Sequence, residues 1–205
     1  MSAGTMFGAP VATLLLLAIV VASAVALRWR EDWLERGLFR PFWVTRRGQW
    51  GTVVSSAFLH ADWPHLLFNA FTFWAFAFAL ERRIGSAAFA LLYAAGIAGS
   101  AFGTWLQHRR EPAYRTLGAS GAVLAVLFAS IVYFPTGSIY VFPLPVPLPA
   151  PLFALGYLAY TIWASRQDFG RVNHDAHLGG AVVGLVFVGI TDPAAVALAL
   201  SAWLG

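Results

Sequence analysis

Residues 63–80, WPHLLFNAFTFWAFAFAL, and residues 86–107, SAAFALLYAAGIAGSAFGTWLQ, are two long apolar runs that only the five residues ERRIG separate. As helices rising about 1.5 Å per residue, both would cross most or all of a hydrocarbon layer of ~30 Å. Lipid is a better solvent than water for side chains of this kind. The stretch therefore predicts two membrane-spanning helices joined by a short polar turn.

The rest of the composition agrees with a membrane protein. Hydrophobic residues make up 60% of the 205 positions and charged residues only 11%, whereas soluble domains carry about 25% charged residues. The sequence predicts an all-α bundle of six transmembrane helices forming a single polytopic domain over 1–205. The four further spans are expected at about 9–27, 117–134, 150–164 and 176–190.

Three other segments carry predictions of their own. The first run ends in small residues, as a cleavable secretory signal does, but no basic segment precedes it, so we interpret it as a span. Residues 28–59 mix arginines with tryptophans, which predicts a structured interfacial loop. Prolines alternate through residues 142–151, which predicts an extended entry to a helix starting near Ala150. The tail after Asp192 would extend the sixth helix or lie along the surface.

Several function classes are disfavoured by composition. The chain has no cysteine, which excludes disulfides and thiol nucleophiles. Its thirteen basic residues are all arginines and are scattered through short loops, so the positive charge favours a membrane surface over nucleic acid. No cofactor is expected.

Four polar side chains lie where lipid should exclude them, and each requires a reason. His65 and Asn69 are four residues apart and share one helix face. Ser120 follows Gly118-Ala119 at a helix start, where free backbone N–H groups can hold an oxyanion. His177 precedes Gly180 and Gly184, which allow a neighbouring helix to approach closely. A serine is activated as a nucleophile when a histidine removes its proton, and the spans offer no carboxylate to complete a triad.

Each of these features alone also has an ordinary explanation. A serine at a helix start is usually a cap or a packing residue, and an intramembrane histidine or asparagine usually forms an interhelical hydrogen bond. Only their combination favours catalysis.

Taken in order, HADWPHLLFN at 60–69, GASG at 118–121 and AHLGG at 176–180 resemble the signature segments of the rhomboid family of intramembrane serine proteases. The resemblance covers about residues 48–190. It implies a catalytic dyad of Ser120 and His177, which cuts the transmembrane helices of other membrane proteins within the lipid bilayer of the cell membrane. It also implies oxyanion stabilisation by His65, Asn69 and the Ser120 backbone. The supporting residues implied are His60, Gly118, Gly121, Gly180 and Gly184.

The sequence departs from the family pattern in three places. Trp50 lies one position earlier than the family's loop tryptophan, which puts the anchoring of the loop in doubt. Leu124 stands where an aromatic ring often supports the catalytic imidazole. Asp175 or His174 could orient the imidazole instead, but a role in the loop is the favoured interpretation for both. The arginine count places the loops after spans one, three and five in the cytoplasm, whereas the family pattern of bacterial members places them outside.

Two other functions remain open from the sequence. A non-catalytic rhomboid-like protein would bind membrane helices without cutting them. A metal site or transporter would draw its ligands from one membrane face: His60, His65, His174, His177 and Asp175. We expect no metal, because no His-Glu-x-x-His pattern or comparable ligand set occurs.

Overall fold

The computed structural model describes residues 8–141, 146–167 and 172–205, and within these ranges the chain forms ten α-helices. A 3-10 turn, Ser56–Phe58, follows the fourth helix, and one small hairpin precedes the eighth. The helices are α1 Pro10–Trp29, α2 Glu31–Gly37, α3 Pro41–Arg47, α4 Gly51–Ser55, α5 Trp63–Ile84, α6 Ser86–His108, α7 Ser120–Tyr133, α8 Ala150–Ala164, α9 His174–Thr191 and α10 Pro193–Leu204. The hairpin pairs β1, Ser138–Tyr140, antiparallel with β2, Pro147–Pro149.

The predicted all-α membrane bundle is confirmed. In the described part of the chain, four helices are long and apolar enough to cross a membrane, namely α1, α5, α6 and α9. The helices α7 and α8 are equally apolar but have only 14 and 15 residues. The six-span count therefore stays a prediction that depends on these two shorter helices.

Polar side chains cap the starts of two of the four long helices, α5 and α9. The Asp62 carboxylate accepts a hydrogen bond from the His65 backbone N–H at 2.8 Å, and the Asn173 side chain accepts one from Ala176 at 3.0 Å. These caps satisfy N–H groups that have no partner inside the helix. The α5–α6 break falls at Gly85, whose φ of +83° favours glycine.

Most segment predictions agree with the structure, with two differences. Segment 28–59 is structured, as predicted, and contains α2 to α4. Part of the predicted extended run, 142–145, lies outside the described residues, and 147–149 is extended but paired in β2. The helix after it starts at Ala150, as predicted. The tail does not extend α9, because Asp192 caps a separate helix α10. That helix lies along the surface of the bundle with only Ala195 and Ala199 buried, and Trp203 Nε1 donates to the Pro135 carbonyl at 3.0 Å.

The helix α7 forms the centre of the bundle. Every residue from 121 to 132 is buried, and α5, α6, α9 and α10 pack around it. The small residues predicted to permit close packing in α6 do so, since Gly96 faces Ala122 of α7, and Gly99 and Gly103 face α9. The residues that begin α7 and α9 are thereby brought to one end of the bundle.

Candidate active site

Ser120 is the first residue of α7 and is only partly buried. The helix begins three residues later than predicted because Gly118 has a φ of +136°, a conformation that side-chain-bearing residues rarely adopt. The Gly118 N–H donates to the Ser56 carbonyl at 2.9 Å. The turn that presents Ser120 is therefore fastened to the first loop.

A buried histidine fastens the same turn from a second side. The Ala119 N–H donates to His60 Nε2 at 3.3 Å, and His60 Nδ1 lies 2.9 Å from the Ser23 hydroxyl of α1. Because Nε2 accepts a hydrogen bond here, the hydrogen of the neutral ring is on Nδ1, which donates a hydrogen bond to the Ser23 hydroxyl. That hydroxyl donates in turn to the Phe58 carbonyl at 2.9 Å. Burial first, and then the charge of neighbouring His65, lowers the pKa of His60 to about 3. His60 is thus a neutral link between α1 and the turn.

His65 lies against the turn that carries Ser120. Its ring meets that of His60 edge-on, with centroids 4.8 Å apart, and a Cβ added at Gly118 would lie 2.9 Å from His65 Nε2. Asn69 is buried, and its side-chain amide donates to the His65 carbonyl at 2.9 Å. The two residues therefore occupy neighbouring turns of α5, with His65 directly beside the Ser120 turn.

The helices α7 and α9 touch through their backbones. A Cβ on Gly180 would overlap the Gly121 carbonyl, and one on Gly121 would lie 2.9 Å from the Ala176 carbonyl. Gly184 meets the next turn of α7 in the same way. In sequence, Ser120 is the residue directly before Gly121 on α7, and His177 lies between Ala176 and Gly180 on α9. Among the described residues, no hydrogen bond joins the two side chains.

A residue that the sequence did not single out contacts the His177 imidazole. The Tyr157 hydroxyl of α8 lies 2.9 Å from His177 Nδ1, although the two are 20 positions apart. Their rings are nearly parallel, with centroids 6.4 Å apart. The Phe153 ring also stacks on the Tyr157 ring, with centroids 5.6 Å apart. The aromatic support that Leu124 fails to supply from α7 is present on α8 instead. The only sequence signal for it is an aromatic pair four residues apart.

The two residues predicted as alternative supports of the imidazole do not fill that role. Asp175 pairs with His108 Nε2 of α6 at 3.2 Å. His174 is buried, its Nδ1 has no hydrogen-bond partner in the part of the chain described, and its ring meets that of His177 only edge-on at 6.1 Å. Tyr157 makes the hydrogen bond that neither of them makes.

Trp50 does not anchor the first loop, since 61% of its surface is exposed. Paired backbone hydrogen bonds between Phe39 and Thr116, both 3.0 Å, join the loop to the segment that leads into α7. Within 8–141, 146–167 and 172–205, no group of three or more His, Cys, Asp or Glu side chains is placed to hold a metal ion.

Comparison with known proteins agrees with this architecture. The rhomboid domain model matches residues 47–192. Rhomboid protein 1, mitochondrial, of Saccharomyces cerevisiae is 33% identical over 139 residues, which cover 66% of this chain and 40% of that protein. RHOMBOID-like protein 12, mitochondrial, of Arabidopsis thaliana is 28% identical over 191 residues, or 83% of this chain and 56% of that protein.

A bacterial relative, the putative rhomboid protease YdcA of Bacillus subtilis, is 41% identical over 80 residues, which cover 38% of this chain and 39% of that protein. The matches thus span about half the length, or less, of these relatives. Because the domain model covers well over half of the chain, and covers the turn of Ser120 and the helix of His177 together, the chain belongs to the rhomboid family.

Proposed function

We propose that the chain is an intramembrane serine endopeptidase that cuts transmembrane helices of other membrane proteins. The observation that carries the proposal is the backbone contact of α7 with α9 through Gly121 and Gly180, which brings Ser120 and His177 to one end of the bundle. Family membership supports it. The missing hydrogen bond between the two side chains does not oppose it, because catalytic hydrogen bonds often tighten only when substrate binds.

In the proposed reaction, His177 Nε2 takes the proton of the Ser120 hydroxyl as the oxygen attacks the scissile carbonyl. The imidazolium then gives that proton to the leaving amine as the peptide C–N bond breaks, and water hydrolyses the acyl-enzyme in a second round. This requires Nε2 to begin as an acceptor, so Nδ1 must carry the proton. The Tyr157 oxygen, 2.9 Å from Nδ1, is placed to accept it. Tyr157 is therefore a positioning residue that holds His177 in the reactive tautomer.

The hydrogen-bond donors proposed to stabilise the oxyanion lie beside the same turn. The Ser120 backbone N–H has no partner inside the helix, since it begins α7. The His65 ring lies against Gly118, and Asn69 keeps a second amide hydrogen beyond the one given to the His65 carbonyl. Removing one such donor typically costs about 10²- to 10³-fold in rate.

The length of α7 offers a route for the water that hydrolysis requires. Its 14 residues span only about 21 Å at 1.5 Å per residue, less than a hydrocarbon layer of ~30 Å. If α7 reaches the opposite face, Ser120 lies below the membrane surface in a site that water enters from one side. The substrate segment is proposed to be a transmembrane helix that unwinds at small residues.

The proposed location follows the same relatives. The chain is a multi-pass membrane protein, with four helices that meet the length and composition of a span. Two of the relatives above carry "mitochondrial" in their names and the third is bacterial. We accordingly propose the inner membrane of a mitochondrion or the cell membrane of a bacterium.

Serine-directed labelling tests the proposal. In detergent, a fluorophosphonate should label the wild-type chain on Ser120, and Ser120→Ala and His177→Ala should both abolish labelling and cleavage of a reconstituted transmembrane substrate. The matched control is Ser201→Ala, which removes an exposed hydroxyl of α10 and should change neither. A chain that binds such substrates but shows neither labelling nor cleavage is the non-catalytic binder, and the protease assignment is then wrong.

A further inference from the structure

An open cavity of about 440 Å³ lies between the first loop and the segment that leads into α7. Its volume falls in the usual range of small-molecule sites, about 300 to 1,000 Å³. The residues that matter for its chemistry are Arg40, Trp43, Arg47, Pro112 and Arg115. None of them belongs to the proposed catalytic machinery.

The cavity carries more positive than negative charge. Glu35 pairs with Arg40 and, at 3.8 Å, with Arg115, so one carboxylate is shared by two guanidinium groups. Arg47 stacks over the Trp43 ring at 3.7 Å and has no ion pair in the residues that the structure describes. Three guanidinium groups thus face one acid. A bound anion would relieve the repulsion among them, and guanidinium matches phosphate in a bidentate manner.

Both walls of the cavity are held in place without a ligand. Trp43 Nε1 donates to the Pro112 carbonyl at 3.2 Å, which joins the two walls directly. The paired backbone hydrogen bonds of Phe39 and Thr116 lie next to Arg40 and Arg115 in sequence. The arginines are therefore presented by a fixed frame, so binding requires little reorganisation.

The surroundings of the cavity indicate which kind of anion would be available to bind there. The same loop exposes Trp29 (69%), Trp33 (38%) and Trp50 (61%), and exposed tryptophans are typical of the level of lipid headgroups. At that level the abundant phosphate is the phosphodiester of a phospholipid. We propose that this cavity binds the phosphodiester headgroup of an anionic phospholipid, held by Arg47 and Arg115 with Arg40 beside them.

The proposed ligand would also act on the neighbouring turn. Arg115 lies three residues before Gly118, and the segment between them carries the Phe39–Thr116 bridge. An anion bound by both Arg47 and Arg115 would connect the same two segments a second time. Lipid binding is therefore expected to stabilise the turn that presents Ser120, although the binding itself does not depend on the proposed protease activity.

The test counts lipid bound to the purified full chain in an uncharged detergent by native mass spectrometry. Wild type should bind one dioleoyl phosphatidylglycerol at least tenfold more tightly than dioleoyl phosphatidylcholine. Arg47→Gln/Arg115→Gln should lose this preference. The control Arg28→Gln/Arg36→Gln removes the same amount of charge from the first loop outside the cavity, and should stay within twofold of wild type.

Other outcomes overturn the proposal. Equal losses in the two glutamine pairs would indicate diffuse electrostatic attraction, and no loss in either would exclude the cavity. Displacement of the lipid by glycerol 3-phosphate or inorganic phosphate at equal concentration would assign the site to a free phosphate. If the glutamine pair does not fold, Arg47→Lys/Arg115→Lys decides, because losing the bidentate geometry should weaken binding at least threefold, whereas unchanged affinity refutes the assignment.

Discussion

Replacing Tyr157 with phenylalanine tests the group that orients the proposed catalytic histidine. The substitution removes only the hydroxyl that lies 2.9 Å from His177 Nδ1. It leaves the ring packed against Phe153 at 5.6 Å and Phe128 at 5.9 Å between centroids. The change is therefore as close to a deletion of one hydrogen bond as the chain allows.

The expected magnitude follows from the worth of that bond. A hydrogen bond between neutral groups contributes a net ~0.5 to 1.5 kcal/mol. At 1.36 kcal/mol for each factor of ten in rate, its loss should slow kcat about 2- to 13-fold. The effect should be far smaller than that of removing Ser120, because the imidazole remains and reaches the reactive tautomer for part of the time.

The assay is cleavage of a transmembrane substrate by the full chain in liposomes, with kcat and KM determined separately. A positioning role predicts a lower kcat with KM unchanged, and Tyr140→Phe, which removes a hydroxyl from a residue that is 68% exposed, should retain the wild-type rate. The reasoning is refuted if Tyr157→Phe cleaves at the wild-type rate, or if kcat falls only in proportion to a loss of folded protein.

Three further predictions concern stability, measured as thermal unfolding in detergent. Gly180→Ala forces a methyl group into the Gly121 carbonyl and should cost about 1 to 3 kcal/mol or more and abolish cleavage, whereas Gly156→Ala, with nothing within 4 Å, should be neutral or stabilising. Glu81→Gln weakens a buried acceptor of two α1 backbone N–H groups and should cost ~1 to 3 kcal/mol; an unchanged midpoint would exclude this role. The pKa of His60 is lowered in the folded chain, so between pH 6.5 and 5 the unfolded chain takes up a proton at this residue and the folded chain does not. The free energy of unfolding should therefore fall by roughly 2 kcal/mol over this range. In His60→Gln it should fall by less.

The parts of the fold that depend on local chemistry could be predicted from the sequence. The start of α8 at Ala150 follows from the prolines before it, and the spans α5 and α6 follow from apolar runs that a membrane must cover. The exact start of α7 at Ser120 could not be predicted, because it depends on the positive φ of Gly118, and a glycine in a sequence permits this conformation without requiring it. The pairing of Ser120 with His177 was predicted from the resemblance to a family and not from the periodicity of the sequence.

Contacts between distant segments could not be predicted in this way. Tyr157 approaches His177 only because α8 packs along the end of α9, and a tyrosine in an apolar run has no sequence feature that distinguishes it from a packing residue. The cavity lined by Arg47 and Arg115 likewise depends on the Phe39–Thr116 bridge, which joins the two segments that carry these arginines. No pattern within either segment specifies the register of that bridge.

The contact between Tyr157 and His177 constrains how a substrate could enter. The resemblance to rhomboid proteases suggests the hypothesis that the proline-preceded helix α8 moves to admit a substrate helix, but the same helix carries the hydroxyl that is proposed to orient the imidazole. A 2.9 Å hydrogen bond is lost once its atoms separate beyond about 3.5 Å, so an outward movement of more than about 0.6 Å at Tyr157 would release His177. If α8 moves, the proposed mechanism requires it to return before the proton leaves Ser120. A chain held open by a cross-link should then bind substrate yet cleave it no faster than Tyr157→Phe.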